Sequence, residues 1–229
     1  KGGSMHLTDP ENNILGTSAI VGGAIPLAVG TALASAMKKD GRVSVCFFGD
    51  GACDTGTFHE SVSFASLKSL PVVFVCENNF YATSSHISTR QPDVEIANRV
   101  APYGIPSVRI DGNDVIKVYN VARRAVERAR MEEGPSFIEC LTYRWKAHVG
   151  PEYDHEMGCR PKEELESWIE KCPVRNFEEF LIKEGHLNEQ SAERMKEALL
   201  KEIDEALDFG RSSPEPEGDE LFKDVYWVD

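Results

Sequence analysis

The sequence has no CxxC pair among its six cysteines, no apolar run of membrane length, no block of basic residues and no internal repeat. Each absence narrows the field. Cys46, Cys76 and Cys140 sit inside strand-like apolar stretches, where a free thiol acts as a small buried hydrophobe. A reduced intracellular compartment therefore fits better than a disulfide framework. No run reaches the roughly 18 to 20 apolar residues that span a bilayer. A net charge of −13 with no basic block argues against nucleic acid or an anionic membrane as partner. The acidity is uneven: residues 1–159 carry 18 acids against 15 bases, and residues 160–229 carry 20 against 10. Most of the excess belongs to the C-terminal part, where a solvated helical face accounts for it. No secretory leader is visible, but the chain opens on Lys1 inside a motif, so that observation says little.

What is present is an ordinary soluble globular composition, 41% hydrophobic and 28% charged over 229 residues, enough for one good-sized core and a smaller appendage. Residues 1–16 are polar and read as a loop. Residues 18–37 are rich in small residues and predict a helix suited to close packing, held by its surroundings because its glycines lower its propensity. Lys38-Lys39-Asp40-Gly41 ends it. Strands are expected at 43–48, 72–77, 107–110 and 137–141. Thr57 and Glu60 have capping-box spacing and predict a helix running to about Leu67. Residues 93–101 suggest a short helix. Asp111-Gly112-Asn113-Asp114 forms a turn and N-cap before a helix at 115–131. This alternation predicts an α/β fold with a doubly wound, mostly parallel sheet over 1–160. Residues 143–160 form a long aromatic loop of the lid or binding kind. A helical extension over 161–229 follows, with helices at 162–171, 176–184 and 188–208, and LFKDVYWV is expected to dock as a terminal strand or arm.

Residues 49–79 carry the chemistry. Gly49-Asp50-Gly51 follows one apolar run directly, and Asn78-Asn79 follows the next. In a βαβ unit both motifs lie at C-terminal strand tips, where ligands bind in open parallel sheets. Asp50 offers an anionic oxygen and Asn79 a neutral one. With a loop carbonyl they suit a hard divalent cation whose remaining positions take water and phosphate oxygens. The N-terminus of the following helix favours the same anion. Either motif alone reads as a plain turn; the pair on neighbouring strand tips favours a Mg²⁺-bridged diphosphate.

GDG, 26 residues, then NN resembles the thiamine-diphosphate motif. The chain resembles the α subunits of the 2-oxo acid dehydrogenase E1 family (pyruvate, branched-chain and acetoin dehydrogenases). The likeness is carried by KGGSMH at 1–6, AIVGGAIPLAVGTALA at 19–34, GDGACDTGTFHE at 49–60, ENNFYA at 77–82, DGND at 111–114 and TYRWKAH at 142–148. The resemblance implies a thiamine-diphosphate-binding fold holding thiamine diphosphate and Mg²⁺. It implies Asp50, Asn79 and the Tyr81 carbonyl as metal ligands, Gly49, Gly51 and Ala52 at the diphosphate, Ala19 and Val21 at the aminopyrimidine, and His148 as an active-site histidine. It further implies oxidative decarboxylation of a pyruvate-like 2-oxo acid with acyl transfer to a lipoyl-type acceptor. Activity would need an E1 β subunit, in an α2β2 heterotetramer, with a lipoyl-bearing E2 component as a further partner. The location would be cytoplasmic, or the mitochondrial matrix in a eukaryote. His6, His59, His86 and His155 read as loop or surface residues. Two departures stand out. The chain starts after the family's preceding N-terminal segment with its Tyr-Arg pair, so either the sequence is a fragment or that contact is missing. Val149 stands where mitochondrial relatives carry a phosphorylatable serine, and residues 149–158 differ from their loop. The alternatives left open are acetoin dehydrogenase, a transketolase-like biosynthetic subunit, and a non-catalytic subunit retaining the fold.

Overall fold

A computed structural model of the chain describes residues 3–223, 225 and 226. Two compact units divide between Val174 and Arg175. The first opens with helix α1 (Ala24–Lys38), strand β1 (Ser44–Gly49), a 3-10 turn at Asp50–Asp54, helix α2 (Gly56–Leu67) and strand β2 (Val72–Asn78). A small hairpin, β3 (Tyr81–Ala82) and β4 (Ser85–His86), leads into the single-turn helix α3 (Ile87–Arg90). Helix α4 (Ile96–Val100), strand β5 (Ser107–Asp111), helix α5 (Val115–Arg130), strand β6 (Ser136–Leu141) and helix α6 (Lys162–Ile169) complete it. Helix α7 (Pro173–Lys183) crosses into the second unit, which carries α8 (Glu189–Ser212).

The four long strands are all parallel, in the order β1-β2-β6-β5. Alternation on β2 shows how the layers form. Val72, Phe74 and Cys76 face one cluster with Ile25, Val29 and Ala32 of α1 and Phe58 and Val62 of α2. Val73 and Val75 face the other, with Ala125 of α5 and Ile110 and Ile138. Burial on both faces explains why β2 reads as a continuous apolar run. The expected doubly wound α/β sheet is therefore present. Helix α1 buries one stripe, Ile25, Val29 and Ala32, while a Cβ at Gly30 would meet nothing.

Several boundaries differ from expectation: helix α1 begins at Ala24 and not at 18, because the chain turns at Gly22, φ +81°, before it. Helix α2 begins at Gly56, and its N-cap is Thr55, whose hydroxyl accepts from the Phe58 N–H. The Thr57–Glu60 capping box does not form, because the turn at Asp50–Asp54 hands over to the helix two residues earlier. The segment after Asn79 folds into the β3–β4 hairpin and α3. The Asp114 cap holds: its carboxylate accepts from the Lys117 N–H at 2.9 Å. The expected terminal arm lies partly outside the described residues; Gly218–Phe222 is a 3-10 turn. All six cysteines are free.

Candidate active site

The winding reverses between β2 and β6. The β1–β2 crossover runs along one face through α2, and the β5–β6 crossover returns along the other through α5. Asp50 at the tip of β1 and Asn78-Asn79 at the tip of β2 stand beside this reversal, where open sheets leave a crevice.

Two asparagines at the β2 tip divide the work. Asn78 is fully buried. Its Nδ2 donates to Glu139 Oε1 at 2.6 Å, and its Oδ1 accepts from the Phe80 N–H at 3.0 Å. That bond supports Phe80 at φ +71°, a left-handed conformation that a bulky residue adopts only when its surroundings impose it. Asn79 repeats the turn, its Oδ1 accepting from the Tyr81 N–H at 3.2 Å, but it is only half-buried. The second asparagine is thus the more accessible of the two, while the first builds the turn that carries it.

Glu139, with no exposed surface, ties the tip to its neighbours. Besides Asn78 it accepts from the Ala97 N–H of α4 at 2.9 Å and faces Arg109 Nε of β5 at 3.5 Å. Sequence reasoning missed both Asn78 and Glu139. The available signal was an acid standing alone in the apolar run of β6, since buried charges are paired or hydrogen-bonded.

Asp50 is 1% exposed. Burial pushes its carboxyl above the ordinary carboxylate range, opposed chiefly by the Arg90 guanidinium. Arg90 pairs with Oδ2, while Oδ1 is buried with no hydrogen-bond partner. The N–H groups of Asp50 and Asn79 lean toward this carboxylate and lower it a little, without completing a bond to Oδ1. A bare buried carboxylate oxygen is costly unless something binds it.

The glycines do different jobs. Gly49 is extended at φ −77°, and a Cβ there would meet nothing. A Cβ on Gly51 would come within 2.9 Å of Ala82 Cβ, so this glycine lets the hairpin sit against the turn. Ala52 is buried behind it. Gly22 has φ +81°, and its Cβ would lie 3.0 Å from Thr55 Oγ1. This contact brings the turn after Ala19 and Val21 to the N-cap of α2. Ala19 and Val21 are themselves exposed.

Behind the Asp50–Asp54 turn, Arg99 donates to the Cys53 carbonyl at 3.0 Å and to His59 Nε2 at 3.3 Å. His59 Nδ1 must then carry its proton, and it donates to the Tyr103 hydroxyl at 2.9 Å. Burial and Arg99 push the His59 pKa down, against Asp54. His59 is therefore a scaffold residue of the turn.

Tyr81 closes the hairpin side. Its hydroxyl donates to Glu164 at 2.8 Å, and its pKa is raised, first by burial and then by that carboxylate. Tyr143 reaches the same Glu164 oxygen at 3.2 Å and is pushed up to about 12, chiefly by burial. Arg160 lies over both rings, pairs with Asp154, and donates to the carbonyls of Arg144 and Lys146. These contacts anchor the 143–160 loop at its two ends. His148 sits between them, exposed, and no hydrogen bond among the described residues joins it to Asp50 or Asn79. The ring of His86 stacks on Phe80, and that of His155 leans on Tyr153. The arrangement thus gathers Asp50, Gly51, Ala52, Asn79 and Tyr81 at adjoining strand tips, with 19–22 at the N-cap and His148 on an outer loop.

An open parallel α/β sheet with an acid and an amide at neighbouring strand tips is of the class in which ligands bind at the carboxyl edge. The family described as "Dehydrogenase E1 component" matches residues 1–218, and the chain belongs to that family. The α subunit of an acetoin:2,6-dichlorophenolindophenol oxidoreductase from Bacillus subtilis (strain 168) is 42% identical over 226 residues, 99% of this chain and 67% of that protein. The chloroplastic pyruvate dehydrogenase E1 component subunit alpha-3 of Arabidopsis thaliana is 35% identical over 232 residues, 99% of this chain and 54% of that protein. The 2-oxoisovalerate dehydrogenase subunit alpha of Bacillus subtilis is 34% identical over 209 residues, 91% of this chain and 63% of that protein. The chain spans about half to two thirds of the length of these relatives.

Proposed function

We propose that this chain supplies the metal- and diphosphate-holding half of a thiamine-diphosphate site in an E1 α subunit. The observation that carries the reading is the buried, unpartnered Oδ1 of Asp50, next to the Asn79 turn on the neighbouring strand. Asp50, the Asn79 side chain and the Tyr81 carbonyl form an all-oxygen donor set, the kind Mg²⁺ takes. Among the described residues no group of three His, Cys, Asp or Glu side chains could hold a metal; this set, with one carboxylate, an amide and a carbonyl, relies on water and phosphate to complete it. Thiamine diphosphate, when bound, supplies the carbanion and electron sink needed to decarboxylate a 2-oxo acid. The chain's own part would be to anchor and orient: Gly51 and Ala52 would present backbone to the diphosphate, Ala19 and Val21 would stand at the aminopyrimidine, and His148 would serve as the active-site histidine. The reaction is oxidative decarboxylation of a pyruvate-like 2-oxo acid with acyl transfer to a lipoyl-type acceptor on an E2 partner. It requires an E1 β subunit, as α2β2.

A second reading keeps the site and changes the substrate to acetoin. It is favoured by the 42% identity to the acetoin oxidoreductase α subunit. The test is a thermal shift of the full-length protein with its β partner on adding Mg²⁺ and thiamine diphosphate. The expected stabilisation disappears in Asp50→Ala, and no shift in the wild type refutes the reading. Turnover of pyruvate, branched 2-oxo acids and acetoin with an artificial electron acceptor then separates the two substrates.

A further inference from the structure

Asp50 already has a cation against it. One terminal nitrogen of Arg90 pairs with Asp50 Oδ2, the other pairs with Asp54 Oδ2, and Nε donates to the Ser85 carbonyl at 3.2 Å. Gln91 donates to the second Asp54 oxygen, and Arg99 lies 3.8 Å from that oxygen. The Arg90 side chain is 15% exposed, so solvent does not screen this pairing as it would on an open surface. Two carboxylates and two guanidiniums thus balance to zero around the β1 tip.

We propose that Arg90 is the resident counter-cation of Asp50, that its charge opposes a divalent ion taken alone on the open Oδ1, and that Asp54 holds the arginine beside the site. The inference rests on Asp50 being a metal ligand and concerns what governs loading. A divalent ion arriving alone meets a group whose charge is already balanced, and its own charge opposes both guanidiniums. The same ion arriving with a diphosphate brings compensating negative charge. Arg90, held beside the site by Asp54, then has a further anion to face, which a guanidinium fork suits. Arg90 therefore makes metal uptake conditional on the diphosphate. The fork serves two carboxylates at once; an ammonium at this position is a single point charge and cannot.

The experiment measures Mn²⁺ binding from the electron paramagnetic resonance signal of the free ion, with and without thiamine diphosphate. It uses the full-length protein in the assembly in which it is isolated, as wild type, Arg90→Gln and Asp54→Asn. Arg90→Gln leaves the group at one net negative charge. It should bind Mn²⁺ alone at least about tenfold tighter than wild type, with the enhancement by thiamine diphosphate reduced by a similar factor, within the usual range of coupling between sites. Asp54→Asn leaves one net positive charge and concentrates Arg90 on Asp50, so Mn²⁺ alone should bind at least about threefold weaker. The opposite signs exclude a folding defect, which would weaken both variants. The proposal is overturned if Arg90→Gln binds Mn²⁺ alone no more tightly than wild type, or if both variants shift the same way. A wild type that takes up no Mn²⁺ even with thiamine diphosphate refutes the metal site itself.

Discussion

Replacing Glu139 by glutamine tests whether the β2 tip is held by a buried charge. The change keeps the shape and removes one acceptor. Glu139 has no exposed surface and accepts from Asn78 Nδ2 at 2.6 Å and from the Ala97 N–H at 2.9 Å, one on each oxygen. A glutamine can accept one of these; its NH₂ must then face the other donor. Asn78 cannot flip to relieve the clash, because its Oδ1 is held by the Phe80 N–H at 3.0 Å. The variant therefore loses one charge-assisted bond and strands a buried donor, each worth about 1–3 kcal/mol. Returning an uncharged side chain to the interior recovers part of the desolvation of the carboxylate, so the expected net loss is about 2–4 kcal/mol. For a unit of this size that lowers the melting temperature by roughly 5–15 °C. Urea denaturation checks it: the midpoint should fall with the slope unchanged, as expected when stability changes without a change in the surface exposed. The Asn78→Ala change should overlap with it, so the double variant loses clearly less than the two single losses added. A Glu139→Gln protein within about 0.5 kcal/mol of wild type, or additive losses, refutes the argument.

Three further outcomes follow from the site. Gly51→Ala places a Cβ 2.9 Å from that of Ala82 and should destabilise by about 1–3 kcal/mol, read by thermal melting, whereas Gly49→Ala meets nothing and should change stability far less. The His59 pKa is lowered, first by burial and then by Arg99, so the unfolded chain binds more protons as pH falls below the ordinary histidine value of about 6.5. Its contribution is full above that pH and is lost toward the depressed folded value; urea midpoints should fall between about pH 7.5 and about pH 5.5, less steeply in His59→Gln. Arg160→Met leaves Asp154, 4% exposed, with Arg144 at 3.1 Å as its remaining ion pair. It should cost about 3 kcal/mol and speed proteolytic cleavage within 144–160 while leaving the rest of the chain resistant.

Much of this protein was legible from local pattern. Apolar runs of strand length alternated with helical spacing, and that alone predicted a parallel α/β sheet, because burial on both faces leaves β2 no polar alternation. Asp114 was readable as a cap because an N-cap acts within three residues. The Gly-Asp-Gly and Asn-Asn motifs were readable as strand tips because each directly follows an apolar run. Long-range pairing was not readable. Nothing local says that β6 inserts between β2 and β5, since strand order is decided by which faces pack against α2 and α5. Asn78 and Glu139 are 61 residues apart, and Arg90 and Asp50 are 40 apart. Nor did spacing distinguish the Thr55 cap from Thr57, because the preceding 3-10 turn, packed against the hairpin through Gly51, decides where α2 begins. The sequence by itself determined the elements and the acid-amide pair at their tips. The tertiary structure decided which asparagine is structural, which glycine is required, and which arginine stands against Asp50, because each depends on residues brought together from distant parts of the chain.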